Sequence, residues 1–164
     1  MNSKTSKQET EEEPKLSKIT EILIDECRMI LPGIQTLFGF QLIAVFNSTF
    51  HEKLTSLEQG LHLLAIALIG VAIAIIMTPP AYHRQTGPQN VTQQFINLTT
   101  RLLLVSMVPL ALSIGLELYL ISRLILNNIF ASFLLTLGLL ILFILLWFVL
   151  PRSEALKRAL GGKG

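Results

Sequence analysis

Four stretches of this chain are each apolar over about the 20 residues that a helix needs to cross the hydrocarbon core of a bilayer. They fall at about 29–50, 61–78, 102–122 and 129–150. In lipid a backbone donor or acceptor finds no water, so an isolated apolar run satisfies its own polar groups only as a helix. Composition agrees: 51% of residues are hydrophobic and 15% charged, against about 25% charged in soluble domains. The expected fold is all-α, an integral membrane four-helix bundle with an N-terminal amphipathic interfacial helix.

Turn chemistry separates the runs. His51 to Gln59 is polar, Pro79 and Pro80 are expected to end the second span, Gly87-Pro88 turns the chain, and Asn127-Asn128 makes a tight reversal. Residues 1–13 are polar and mixed in charge, so they read as a disordered cytoplasmic tail. From Pro14, Leu16, Ile19, Leu23, Cys27 and Ile30 recur every three or four residues, which makes 14–28 an amphipathic helix leading into the first span. Residues 151–164 form a short basic tail. The start is too long and too acidic for a cleaved signal peptide, so the first span is expected to be retained.

Lys and Arg orient the bundle. Of the thirteen such residues only Lys53 and Arg123 fall at one end of the spans. The others border the termini and the loop between spans two and three. The positive-inside rule then puts both termini in the cytoplasm, and an even number of spans requires both termini on one side. A membrane is the expected location, with the lipid bilayer itself as the first partner.

One acid interrupts the third run, in the stretch SIGLELYLISR. Thr99, Ser106, Pro109, Ser113 and Glu117 are spaced seven, three, four and four, so they share one side of a helix. Glu117 should therefore face protein. It precedes Ser122 by five residues, roughly 7–8 Å below that end of the span at about 1.5 Å per residue. His62 is the one group of similar depth that could meet it as a cation. Ser106 and Ser113 are expected to satisfy backbone groups that Pro109 frees. Gln35 and Gln41 are further polar candidates. Gln35 lies on the stripe Arg28, Pro32, Gln35, Gly39 and is expected to face the bundle, because an unpaired amide in hydrocarbon is costly. Ala67, Gly70 and Ala74 make a small-residue face on span two, the kind that lets helices approach closely. His83 and Arg84 suit the cytoplasmic headgroup level.

Several function classes find no residues to carry them. A single cysteine, Cys27, precludes an intramolecular disulfide and a Cys-based metal site. The three histidines lack ligand spacing, and there is no phosphate-binding glycine loop, nucleophile elbow or pair of catalytic carboxylates. The expectation is no enzyme, no cofactor, no metal and no nucleic acid.

The segment DECRMILPGIQTLFGFQLIAVF, followed by a second span ending in PPAYHR, resembles a bacterial domain-of-unknown-function family of small four-span membrane proteins. The matching positions are Glu26, Arg28, Gly33, Gln35, Leu37, Gly39 and Phe40, then His83 and Arg84. Members sometimes carry an automatic sodium:proton antiporter label. Such exchange normally uses carboxylates deep in the membrane, often paired, and this chain has one, off-centre. The resemblance thus implies the fold and leaves activity open. The leading expectation is a multi-pass protein that is structural or accessory to membrane partners, with Glu26, Arg28, Gly33, Gln35 and Gly39 as its packing or partner surface. The alternative is a small oligomeric transporter or channel component, proton- or cation-coupled, using Glu117.

Overall fold

The computed structural model describes residues 3–86 and 92–153, with side chains for 16–48, 50–85 and 92–153. Five α-helices follow in order: α1 (Ser3–Val45), α2 (Ser48–Lys53), α3 (Ser56–Thr86), α4 (Gln93–Leu126) and α5 (Ile129–Ile144). A π-helical turn at Leu145–Val149 and a 3-10 turn at Leu150–Arg152 carry α5 up to and past Pro151. Four segments are long and apolar enough to cross a membrane: Leu16–Val45, Ser56–Gln85, Gln93–Leu126 and Ile129–Arg152. The bundle is all-α. The expected turn at Gly87-Pro88 and the basic tail beyond Ser153 lie outside the described residues.

The helices run longer than the apolar stretches that announce them. The backbone is helical from Ser3, where the sequence suggested a disordered tail over 1–13. Glu, Gln and Lys are good helix formers, and extending a helix already nucleated costs little. Span one stops at Val45, and residues 48–53 form a separate short helix. α3 begins five residues before the expected start at Leu61 because Thr55 and Glu58 form a reciprocal cap. The Glu58 carboxylate accepts from the Thr55 amide at 2.9 Å, and the Thr55 hydroxyl accepts from the Glu58 amide at 3.3 Å. Thr92 caps α4 by accepting from the Phe95 amide at 3.3 Å.

Pro79 and Pro80 do not end α3, which continues to Thr86. Pro79 is fully buried, and membrane helices tolerate proline where neighbouring structure compensates for the lost backbone bonds. The reversal at Asn127-Asn128 has the geometry its residues favour. Asn127 takes φ 48°, the left-handed region that Asn tolerates better than most residues, and its amide bonds the Arg123 carbonyl at 3.1 Å. Asn128 caps α5 through the amides of Phe130 and Ala131.

The chain forms two compact units. One joins residues up to Ala44 with Ala67–Leu110, and the other joins Val45–Ile66 with the chain from Ala111. In the first, Cys27 and Ile34 of α1 pack with Ile69 and Ile76 of α3, flanked by Leu31, Phe38, Ile73, Leu103 and Leu110. In the second, Leu54, Ala65, Leu120 and Ser132 are buried. There α4 and α5 meet closely, since a Cβ on Gly115 would stand 3.0 Å from Leu140 Cδ2.

The inward faces have a seven-residue period. On α1 they are Thr20, Ile24, Cys27, Leu31, Ile34, Phe38 and Gln41; on α3, Glu58, His62, Ala65, Ile69, Ala72, Ile76 and Pro79. On α4 they are Ile96, Thr99, Leu103, Ser106, Leu110, Ser113, Glu117 and Leu120. Alternating spacings of three and four average 3.5, the period of knobs-into-holes helix packing. α5 has only Ser132 buried, and its exposed residues, among them Phe133, Leu134, Leu137, Ile141 and Ile144, form an apolar surface that a bilayer would cover.

Candidate functional site: a polar seam between α3 and α4

In the second unit the inward faces turn polar. α3 contributes Glu58 and His62 one turn apart, and α4 contributes Ser113 and Glu117 one turn apart. The heptad register makes these positions face the opposite helix, which is why a carboxylate in an apolar span finds protein and not lipid.

His62 Nδ1 stands 2.8 Å from Glu117 Oε1. The histidine side chain is 3% exposed and the glutamate 20%. The contact is an ion pair when the imidazole carries a proton. The Phe50 ring packs edge-on to His62 with centroids 5.0 Å apart, closing the apolar side of the imidazole. One turn deeper, the Ser113 hydroxyl donates to the Ala65 carbonyl at 2.8 Å. That bond demands close backbone approach, which Ala65, 0% exposed, permits. Toward the helix ends, Glu58 Oε2 accepts from the Thr55 amide and hydroxyl, and its Oε1 lies 3.7 Å from Arg123 Nε.

The other candidates are placed differently. Gln41 is buried at 7% exposure, whereas Gln35 is exposed and corrects the expectation that it faces the bundle. The reason is register: Ile34 occupies the inward position, and Gln35 is the next residue, about 100° round the helix. Glu26, Arg28 and Gly33 are likewise exposed and Gly39 half-buried. Arg28 pairs at 3.5 Å with Asp25 on its own helix. Nothing lies within 4 Å of a Cβ built on Gly33, Gly39 or Gly70, and Ala67 and Ala74 are exposed. The small-residue face of span two therefore points outward, and the close approach uses Ala65 instead. The Ser106 hydroxyl donates to the Leu103 carbonyl and that of Ser113 to Ala65. Neither is the Val105 carbonyl that Pro109 frees, which corrects the role expected of both serines.

In the first unit His83 lies half-buried beside Phe95, with centroids 6.0 Å apart, and Tyr82 stacks on the same ring at 5.5 Å. Arg84 is exposed. Glu58 is not among the sequence candidates, although the Thr55-Ser56-Leu57-Glu58 stretch carries a capping-box signature and Glu58 falls four residues before His62.

Four apolar spans in one small chain agree with its family likeness. Residues 8–151 match the family of unknown function DUF6328. The chain belongs to that family. No curated protein matches it significantly, and neither does any solved structure. The family has no described activity, so its DUF6328 membership leaves chemistry to the residues.

Proposed function

We propose that this DUF6328 protein is a structural or accessory subunit of a membrane assembly, not an enzyme, and that it meets its partner through the outward face of α1. The observation that carries this reading is Gln35. It lies about two-thirds of the way along the Leu16–Val45 span, and its side chain is exposed and makes no hydrogen bond among the described residues. An amide left facing hydrocarbon costs several kcal/mol, whereas interhelical amide bonds are a common adhesive between membrane helices. Gly39, half-buried about one turn away and with nothing within 4 Å of a Cβ built on it, lets a second helix come close to the same face. A second copy of the chain or another membrane protein satisfies both features. The charge asymmetry supports both termini on the cytoplasmic side, and the resemblance to a bacterial family favours a bacterial inner membrane.

The test is assembly size in native nanodiscs, wild type against Gln35→Leu. The expected result is a larger particle for wild type that dissociates on substitution. Equal sizes would remove α1 as the partner face.

The second reading, a proton- or cation-coupled transporter component, is favoured by the buried His62–Glu117 contact. An intramembrane ionisable pair is a common device for moving protons. Proton-coupled cation flux into vesicles decides it. Flux in the wild type that disappears in Glu117→Gln would establish transport; no wild-type flux leaves the pair with its packing role.

A further inference from the structure

We infer that the cleft lined by Lys53, Thr55, Glu58, Arg123, Leu124 and Asn127 binds the phosphate of an anionic phospholipid. The cleft measures about 370 Å³ and lies wholly within the second unit. It collects Lys53 and Arg123, the two cations set apart from the other eleven by the distribution of charge along the sequence. Residues far apart in the chain thus put both of that end's positive charges into one cleft.

The charges are arranged so that an anion is wanted. Glu58 is the acid lining the cleft, and its oxygens are occupied. Oε2 accepts from the Thr55 amide at 2.9 Å and the Thr55 hydroxyl at 2.8 Å, and Oε1 faces Arg123 Nε at 3.7 Å. Arg123 Nη1 donates to Asn127 Oδ1 at 3.5 Å. The guanidinium is thereby held between two fixed acceptors, and it has five N–H donors in all. The exposed Lys53 makes no ion pair among the described residues. One carboxylate against two cations leaves a net positive cleft, and an oriented guanidinium beside a mobile ammonium is the usual recognition pair for phosphate.

Position selects a lipid over a soluble anion. Lys53 lies just before the Ser56–Gln85 span and Arg123 three residues before the end of the Gln93–Leu126 span, which is the level of the headgroups. Leu124 lines the cleft, and exposed Ile125, Ile129 and Phe130 continue the apolar surface beside it. A headgroup phosphate in the cleft would let its acyl chains lie against these side chains.

Native mass spectrometry of the full chain, released from detergent micelles titrated with dioleoylphosphatidylglycerol, tests the inference. One lipid should remain bound to wild type. Lys53→Gln should weaken retention about tenfold and Arg123→Gln at least as much, as the loss of a charge-assisted contact predicts. Arg101→Gln, in the other unit and exposed, should leave it unchanged. Should Arg123→Gln fail to fold, Lys53→Gln decides alone, since its exposed side chain supports no packing. Retention unaffected by Lys53→Gln, or lost equally in Arg101→Gln, would overturn the site. Displacement of the lipid by millimolar inorganic phosphate would overturn the choice of lipid and assign the cleft to a soluble anion.

Discussion

In the unit that contains Ala67–Leu110, the inward face of α3 is Ile69, Ala72, Ile76 and Pro79. In the unit that contains Val45–Ile66, the same face of the same helix is Glu58, His62 and Ala65. The spacing is identical and the chemistry is opposite. Lipid tails are as apolar as isoleucine, so the Ile face gains nothing from leaving lipid and is held by close packing alone. The polar face has no good alternative in lipid, so its partners commit it to one register. The comparison teaches that in this chain the apolar seam gives contact and the polar seam gives specificity.

The largest expected effect comes from breaking the polar seam on one side only. Glu117→Leu leaves His62 buried without its counter-group, and stability measured by denaturant titration in mixed micelles should fall by about 3 kcal/mol. Removing His62 as well, as His62→Leu/Glu117→Leu, should restore most of that loss, because two matched apolar residues suit the site. A smaller loss, about 2 kcal/mol, is expected for Ile69→Ala. The buried isoleucine leaves a cavity, but the hydrophobic share of the usual penalty is absent in lipid. Ser113→Ala should cost about 1 kcal/mol by deleting the bond to the Ala65 carbonyl. Gln35→Leu should leave the stability of the single chain nearly unchanged while altering its assembly, since the side chain contacts no core. If Ile69→Ala proved costlier than Glu117→Leu, the contrast between the two seams would be reversed.

Much of this is legible in the sequence. Hydropathy marks the four spans, and Thr99, Ser106, Ser113 and Glu117 of the polar stripe lie on the inward face of α4. Depth and the capacity to carry a positive charge together pick His62 as the group opposite Glu117, and the two stand 2.8 Å apart. What stays hidden is facing on α1 and on the deeper part of α3, where apolar residues surround the helix and periodicity has little contrast. There Gln35 and Gln41 look equivalent by type, and only the heptad through Ile34 separates them. Ala67, Gly70 and Ala74 look like a contact face for the same reason. The prolines mislead differently. Pro79-Pro80 is a strong stop signal in water, and burial of Pro79 overrides it here. Helix ends are hidden because the capping box at Thr55 and the threonine at 92 lie outside the apolar runs that define a span.

A double-mutant cycle between His62 and Glu117 tests the central claim, that this pair fixes α3 against α4. The account predicts that His62→Leu and Glu117→Leu, each destabilising alone, combine with a coupling of about 3 kcal/mol. Additivity to within about 0.5 kcal/mol would mean that the two side chains do not act as a pair, and would contradict it.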